Sequence, residues 1–429
     1  MSFDFLLPII ILLSGGYMLI KIRFFFILHP ISTLKLAFTG ENTKGAILSL
    51  LLALAGTLGV GNIIGVAFGI AAGGAGSVFW LMVSALFSSA LKYGEVCLCA
   101  KRRSKLGMIG VIKESFGAGG RRLAILYASL CLGLALSMGA ALQGSAIRSA
   151  VISDSPNSLL PIAMILTLTS ALICSSKGEG IRRSIAVIIP MAVLLYSAIS
   201  FMVIFRHTDR IPTVIGEIFK SAFSLRSATA GGGAAVISAA MREGFARGLL
   251  SNEAGAGTSS LSHTALEGKD ADRAGIFGIF EVTFDTLILC PMTAFAILLS
   301  GKGELPFSRE LGFFGGAALF LSLTAFALST LLCWYYYGDI CRKYLIGEQL
   351  KRVYFLIFFV FFLFGILLGA QRLIPTIDFI LLLLTILSTA TLIKCAKDIH
   401  APLSIKRTSA YQKGRFRHNI FIRPRKKGR

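Results

Sequence analysis

The chain has 429 residues, of which 55% are apolar and only 15% charged, and its mean hydropathy is +0.77. Soluble domains are typically about a quarter charged, so this composition excludes a soluble enzyme and a nucleic-acid-binding module. The formal net charge of +22 is no argument for nucleic acid, because half of it lies in the segment 394–429. The remaining basic residues separate apolar segments, which is typical of a polytopic membrane protein.

Apolar segments recur along the chain, and about 20 apolar residues suffice for a helix to cross a bilayer. The first apolar segment is preceded by an acidic residue and by no basic residue, whereas a cleaved signal peptide begins with a positively charged region. We therefore expect a retained helix here. Residues 45–91 contain no charge and predict two helices with a turn at Gly73-Gly74. The eleven expected spans are 3–20, two within 45–91, 123–147, 159–175, 184–205, 229–241, 275–300, 313–338, 353–370 and 373–393.

Lys and Arg residues are distributed unevenly over the two sides that these spans define. The odd-numbered connections and the tail contain 34 of them, and the even-numbered connections contain 8. The positive-inside rule therefore predicts an outer N-terminus and a cytoplasmic C-terminus, in the plasma (inner) membrane of a bacterium. The basic tail 394–429 is either a disordered topology signal or a contact for anionic lipids of the bilayer.

The last ten spans divide into two blocks of five, 45–205 and 229–393, which follow an extra N-terminal helix and a cytoplasmic connection in 1–44. An odd number of spans inverts the second block relative to the first. We therefore expect an all-α membrane protein of about 11 transmembrane helices, with a 5+5 inverted repeat. The outer linker 206–228 contains an amphipathic segment from Ile211 to Phe223.

The first helix of each block is interrupted by glycine, at 56–62 in the first block and at 231–233 and 242–244 in the second. Backbone groups freed in hydrocarbon are tolerated only where protein or a cavity satisfies them. Corresponding interrupted helices favour a secondary transporter with a site near the middle of the membrane. The alternative is close helix packing through small residues. The charge-free surroundings favour a small zwitterion with Na⁺ over a strongly charged solute.

Four stretches carry a distinctive pattern: 56–96, which begins GTLGVGNIIG, RGLLSNEAGAGTSSLSHTAL (247–266), FDTLILCPMTAF (284–295) and STLLCWYYYGDICRKYL (329–345). Together they resemble the alanine or glycine:cation symporter family over about residues 45–345. The GVGN stretch is also similar to the unwound first core helix of the leucine-transporter-type fold. The resemblance implies a symporter that carries small neutral amino acids with Na⁺ by alternating access. It implies no cofactor besides the coupling ion.

The resemblance also implies a substrate site at the glycine-rich break. Main-chain N–H groups around Gly59, Val60 and Gly61 would bind the substrate carboxylate, and Asn62 would brace the break or touch the substrate. The residues that would line the pocket are Gln143, Thr330 and Trp334. Alternatives remain open for two of these residues. The tryptophan could belong to an interfacial aromatic belt, and the glutamine could bond to another helix.

A sodium site is implied between the break and the ninth span. The carbonyls of Ala55 and Leu58 and the hydroxyls of Ser329 and Thr330 would be its ligands. Neutral oxygen atoms of this kind suit a hard cation. The alternative is that both hydroxyls bond to carbonyls of their own helix.

Ionisable residues within spans are functional by default. Asp285, with Glu281 one turn earlier, is a candidate for binding a coupling ion, which makes proton coupling an alternative to Na⁺. The family pattern favours structural bracing at this place.

Asn252, within the SNEAG motif, is expected to brace a cytoplasmic gate. The spacing of Lys92 and Glu95 predicts an ion pair.

Two departures from the family pattern affect the pocket. The family's GTGN reads GVGN, so Val60 lacks a hydroxyl, and Ala140 stands where a polar residue usually precedes the pocket glutamine. The pocket is therefore less polar, and a membrane scaffold or sensor that keeps the fold without transport is the alternative function. An enzyme is not expected, because the five His residues are dispersed along the chain.

Overall fold

The computed structural model describes residues 5–38, 50–51, 53–151, 159–175, 178–223, 238–265, 271–301 and 305–402. All regular secondary structure in these ranges is helical, as the sequence predicts. The α-helices of eight or more residues are α1 Leu6–Lys21, α2 Pro30–Phe38, α3 Ile64–Gly73, α4 Gly76–Lys101, α5 Met108–Ser115, α6 Gly120–Leu134, α7 Gln143–Val151, α8 Leu159–Ser175, α9 Gly178–Arg206, α10 Ile211–Ala222, α11 Ala239–Asn252, α12 Ala271–Val282, α13 Cys290–Ser300, α14 Phe307–Ile346, α15 Lys351–Leu368 and α16 Ala370–Lys394.

Several of these helices can cross a membrane. Within the described ranges, six stretches are long and apolar enough by length and composition. They are Gly76–Lys101, Gly117–Ser149, Val187–Arg206, Ala271–Ser300, Phe307–Ile346 and Gln371–Lys394. Shorter apolar helices cover Leu6–Lys21, Val60–Gly73 and Met164–Cys174. The chain is therefore a multi-pass membrane protein, while the number of eleven spans and the inverted repeat stay predictions.

The first glycine-rich span is broken where the sequence predicts a break. Helical structure ends at Thr57, the residues Val60–Asn62 form one tight turn, and α3 begins at Ile64. Residues 55–63 are all buried, so the break lies inside the protein. We call residues 55–63 the unwound segment. It contacts α11, α14 and the irregular segment Thr283–Leu289, so it meets residues from the second half of the chain.

The predicted turn at Gly73-Gly74 and the predicted amphipathic segment of the linker are both confirmed. Helix α3 ends at Gly73, and Gly74 has a φ of +73°, a conformation that side chains with a Cβ rarely adopt. The buried face of α10 consists of Val214, Ile218 and Ala222, which are spaced four residues apart. This face packs against the beginning of α4.

Helix α4 lies at the centre of the described structure, where it packs against α1, α11 and α12. Helix α14 packs against α9 and against the irregular segment between α6 and α7. Two of the spans contain a widened, π-helical segment, Ala135–Leu142 and Thr283–Leu289. Such segments leave main-chain groups less regularly bonded and are frequent at functional sites.

The predicted interruption of the second block at 242–244 is wrong. Helix α11 is continuous from Ala239 to Asn252, and Gly244 lies within it. A Cβ at Gly244 would lie 2.6 Å from the carbonyl oxygen of Ser77 and 2.6 Å from the Cβ of Trp80. The glycine therefore allows α11 to approach α4 closely and does not break the helix. The expected glycine break at 231–233 and the basic tail beyond 402 lie outside the described residues.

Candidate functional site

Thr330, on α14, lies beside the last carbonyl groups before the break. Its hydroxyl donates a hydrogen bond to the carbonyl oxygen of Ala55 at 3.1 Å and lies 3.5 Å from that of Leu58. All three residues are buried. We call these three oxygen atoms the Thr330 cluster. Three of the four ligands predicted for Na⁺ therefore come together without any charged side chain.

Ser329 and Gly59 flank this cluster in different ways. The hydroxyl of Ser329 donates to the carbonyl of Phe326 in its own helix at 2.9 Å, which is the alternative that the sequence left open. Gly59 has extended backbone angles, which any residue can adopt. Glycine is needed at this position because there is no space for a side chain: a Cβ would lie 2.7 Å from the Oγ1 of Thr330.

Trp334 lies one turn after Thr330 and is fully buried, so it does not belong to an interfacial belt. Its ring packs edge-on against Tyr337 with 5.4 Å between centroids. Gly139 allows this ring to approach the π-helical segment, since a Cβ at Gly139 would overlap the tryptophan side chain. Within the described part of the chain, the indole Nε1 of Trp334 has no hydrogen-bond partner.

Gln143 begins α7, which packs against α14 and α15. Its side-chain nitrogen donates to the carbonyl of Met138 at 3.0 Å, while its Oε1 is buried and has no partner among the described residues. The helix of Gln143 therefore lies next to the helix of Thr330 and Trp334.

Asn62 ends the turn of the unwound segment and is bonded to Asp285. Its Nδ2 donates to the carboxylate Oδ1 at 2.5 Å and to the main-chain carbonyl of Asp285 at 3.3 Å. The hydroxyls of Ser251 and Thr286 donate to the other carboxylate oxygen, at 2.5 Å and 2.8 Å. Asp285 thus holds together the unwound segment, α11 and the π-helical segment of its own span.

Asn252 extends this set of bonds toward the predicted gate. Its Nδ2 donates to the hydroxyl of Thr286 at 3.0 Å, and its Oδ1 accepts from the main-chain N–H of Ala254 at 2.9 Å. The side chain therefore fixes the turn that follows the C-terminal end of α11, and its predicted role at a gate stays a prediction. We call the group Asp285, Asn62, Ser251, Asn252 and Thr286 the Asp285 cluster.

The predicted ion pair between Lys92 and Glu95 is wrong. The ammonium of Lys92 lies 2.9 Å from Glu281 on α12 and 2.6 Å from the main-chain carbonyl of Asn252, and it also bonds to the hydroxyl of Ser259. Both charged side chains are fully buried. Glu95 instead accepts a hydrogen bond from Ser388 on α16 at 2.7 Å. Helix spacing misled the prediction, because a buried charge needs a tertiary partner more than a helix neighbour.

Sequence reasoning missed several polar groups that complete the site. They are Glu253, Ser259 and His263, all of which are buried. The signal available in the sequence is the concentration of Ser, Thr, Asn and Glu in residues 251–263, within a protein that is otherwise mostly apolar. Buried polar side chains in a membrane protein need hydrogen-bond partners within the protein, so this composition predicts a hydrogen-bonded cluster.

The same chain is similar to known membrane proteins over most of its length. Residues 1–416 match the sequence pattern of the sodium:alanine symporter family. An uncharacterized transporter of Haemophilus influenzae is 32% identical over 82% of this chain and 83% of its own length. The sodium/alanine symporter AgcS of Methanococcus maripaludis is 29% identical over 80% of this chain and 82% of its own. A sodium/proton-dependent alanine carrier protein of Bacillus sp. PS3 is 25% identical over 79% of this chain and 82% of its own. The chain belongs to the sodium:alanine symporter family.

Proposed function

We propose that this protein carries a small neutral amino acid, alanine or glycine, across the membrane together with Na⁺. The observation that carries the proposal is the Thr330 cluster, in which an α14 hydroxyl meets two carbonyls at the edge of the unwound segment. Family membership supports the transport activity, and two of the relatives are named as a sodium/alanine symporter and a sodium/proton-dependent alanine carrier. Neutral oxygen atoms bind Na⁺ without leaving a buried charge when the ion departs.

Na⁺ would lie between the two carbonyls and the hydroxyl oxygen of the Thr330 cluster, and the hydroxyl would keep its proton, turn it away from the carbonyl of Ala55 and offer a lone pair to the ion. Because these carbonyls belong to the unwound segment and the hydroxyl belongs to α14, the ion would hold the two elements together. A substrate bound to the same segment then binds a more ordered site, which couples the two ligands. Ser329 would join as a fourth ligand through the lone pairs of its hydroxyl.

The substrate site lies, in this proposal, at the main-chain N–H groups around Gly59, Val60 and Gly61. The tight turn Val60–Asn62 would offer N–H groups to a carboxylate in the way that helix ends do, and the N–H of Gly59 would exchange its bond to the carbonyl of Thr57, at 2.7 Å, for one to the substrate. Polar atoms without a partner suit the rest of a zwitterion. In the described residues these are the Oδ1 of Asn62, the Oε1 of Gln143 and the Nε1 of Trp334. Buried polar atoms are nearly always bonded, so unpartnered ones favour a ligand.

Alternating access follows if the closure of each side depends on whether the site is filled. The cytoplasmic side is held by the contacts of residues 251–263 with α4 and α12, which include the bonds of Lys92. We infer an outer N-terminus and a cytoplasmic tail from the distribution of Lys and Arg, and we propose a bacterial inner membrane as the location. Cysteines introduced at 101–122 should then react only with reagents applied from the cytoplasmic side.

The experiment is a binding panel on purified protein in detergent, with L-alanine, D-alanine, glycine and L-serine, in Na⁺ and in K⁺. We expect alanine or glycine to bind at least tenfold more tightly in Na⁺, which corresponds to about 1.4 kcal/mol. Binding that is equal in Na⁺ and K⁺ but strengthened at low pH would replace Na⁺ by protons as the coupling ion. No binding of any member by folded protein would favour the scaffold or sensor.

A further inference from the structure

The chain stays helical after α1 but changes direction. Helix α1 is followed by one further helical turn, Phe25–Leu28, and then by α2. Before that turn, Arg23 and Phe24 have φ values of +58° and +52°, and the N–H of Phe24 donates to the carbonyl of Leu19 at 3.0 Å. This bond pattern ends a helix and redirects the chain. Residues 24–38, which we call the connecting segment, are therefore separate from α1.

One face of the connecting segment is apolar and exposed. Leu28 and Ile31 expose 65% and 70% of their surface, and the other members of this face expose between 40% and 48%. The members recur mostly three or four residues apart, as one face of a helix requires. We call them the exposed row, and they are Phe24, Ile27, Leu28, Ile31, Leu34 and Phe38. A continuous apolar surface of this kind is unfavourable in water, so it marks a contact with an apolar partner.

The length and charge of the connecting segment indicate what this partner is. Helix α2 has nine residues and is about 14 Å long, whereas the hydrocarbon core is about 30 Å thick, so α2 cannot cross it. Residues 5–40 contain no Asp or Glu, while Arg23 and Lys35 are exposed beside the row. Basic residues beside an apolar helix face are typical of segments that lie flat among lipid headgroups. A second copy of the same face would instead bring like charges together.

The other side of the connecting segment is bonded to α12. The buried side chain of Arg273 donates from its Nε to the main-chain carbonyl of Ala37 at 2.8 Å, and its guanidinium carbon lies 5.7 Å from the ring centroid of Phe277. The ring of Phe38 packs against the same phenylalanine with 6.2 Å between centroids. Helix α12 begins the span that contains Asp285. The position of α2 in the membrane is therefore transmitted to that span.

We propose that the connecting segment lies in the plane of the cytoplasmic membrane surface and binds phospholipid. The exposed row inserts among the acyl chains just below the phosphates, and Arg23 contacts a phosphate group. The segment thereby holds the beginning of α12 at a fixed depth through Arg273. This inference uses neither the substrate nor the coupling ion, so it goes beyond the proposed function and can fail without affecting it.

The test measures the depth of the exposed row in vesicles of phosphatidylethanolamine and phosphatidylglycerol. A nitroxide spin label is attached to Ile27→Cys, Ile31→Cys or Leu34→Cys, and background labelling is low because the eight natural cysteines are all buried. Collisions of the label with O₂, which is concentrated in lipid, and with a water-soluble nickel chelate report its depth. We expect the same depth for all three labels, just below the phosphates, because the segment lies flat.

A helix that is predicted to cross the membrane is the matched control. Met164, Leu168 and Leu172 are exposed at intervals of four residues on α8. Labels at these positions should differ in depth by up to about 6 Å per interval, because a helix rises about 1.5 Å per residue.

A charged substitution tests whether lipid holds the segment. Leu34→Asp places a carboxylate in the exposed row, and we expect the nickel chelate to collide about tenfold more often with a label at Ile27→Cys, because the row leaves the acyl chains. Ser32→Asp is the control, since Ser32 is not a member of the row, and it should change the collision rate little.

Depths that change along the connecting segment as they do along α8 would overturn the inference, because the segment would then be crossing the membrane. Labels reached by the nickel chelate and not by O₂ would place the row in water and overturn it as well. Labels shielded from both reagents would mean that a second copy or another protein segment covers the row, which also contradicts the proposal. So would equal effects of Leu34→Asp and Ser32→Asp.

Discussion

Two oxygen-rich regions border the unwound segment, and they differ in charge. Before the turn, the hydroxyl of Thr330 meets the carbonyls of Ala55 and Leu58, and the group is neutral. After the turn, Asn62 holds the carboxylate of Asp285. The neutral region satisfies its own hydrogen bonds and can release an ion at little cost. The charged region holds its buried carboxylate by hydrogen bonds from Asn62, Ser251 and Thr286, so the loss of one of these donors is expected to lower stability.

The largest effect should come from breaking the buried ion pair next to the charged region. Lys92→Met leaves Glu281 without its ammonium, and we expect the free energy of unfolding to fall by about 3–5 kcal/mol. The measurement is denaturant unfolding of purified protein in detergent. The double variant Lys92→Met/Glu281→Gln should recover most of the loss, because it removes both charges. A double variant no more stable than Lys92→Met would mean that the pair itself does not matter.

A smaller effect should follow from filling the space beside the neutral region. The Cβ of Gly59→Ala would lie 2.7 Å from the Oγ1 of Thr330. Overpacking of this kind typically costs about 1–3 kcal/mol, so we expect the Na⁺ concentration for half-maximal alanine binding to rise about thirtyfold. The control is Gly65→Ala, whose Cβ would meet only the flexible end of Leu250, at 3.4 Å. Equal effects of both variants would show that Gly59 serves helix packing alone.

Removal of the central hydroxyl should have a tenfold effect. Thr330→Val keeps the shape of the side chain and deletes its oxygen, so we expect the half-saturating Na⁺ concentration to rise at least tenfold, about 1.4 kcal/mol. The free energy of unfolding should change by no more than about 1 kcal/mol, because only one hydrogen bond between neutral groups is lost. Unchanged Na⁺ dependence in folded protein would move the sodium site to Asp285.

The smallest effect should come from Ser329→Ala. The hydroxyl of Ser329 is bonded to Phe326 in its own helix, so it contributes less to the ion than Thr330 does. We expect the half-saturating Na⁺ concentration to rise by less than about threefold, under 0.7 kcal/mol. A rise as large as that of Thr330→Val would mean that both hydroxyls are equivalent ligands. The comparison of the two variants, measured in the same binding assay, separates these cases.

The amino-acid sequence predicted local features of the fold well. The break at 56–62, the turn at Gly73-Gly74 and the amphipathic α10 each follow from a local pattern of glycine or apolar residues. The prediction failed where a glycine can serve either of two purposes, to break a helix or to allow close packing. Gly244 looks like a helix breaker, but its lack of a Cβ serves the contact with Ser77 and Trp80 on α4.

The candidate site was predictable to a similar degree. The family resemblance predicted that Thr330, Ala55 and Leu58 lie together, and in the structure the hydroxyl of Thr330 contacts both carbonyls. The sequence analysis paired Lys92 with Glu95, whereas the structure pairs Lys92 with Glu281 on another helix. Residue spacing predicts neighbours on the same helix and gives no information about contacts between helices. For the same reason, the bond of Ser251 to Asp285 could not be anticipated, since it depends on how α11 packs against the segment Thr283–Leu289.

The most direct test of the account is alanine accumulation in proteoliposomes that carry only an inward Na⁺ gradient, with equal pH and equal alanine on both sides at the start. Na⁺-coupled symport predicts that alanine rises transiently above its outside concentration and that Thr330→Val reduces this rise. An alanine concentration that never exceeds the outside value, from folded and correctly inserted protein, would contradict sodium-coupled transport by this chain.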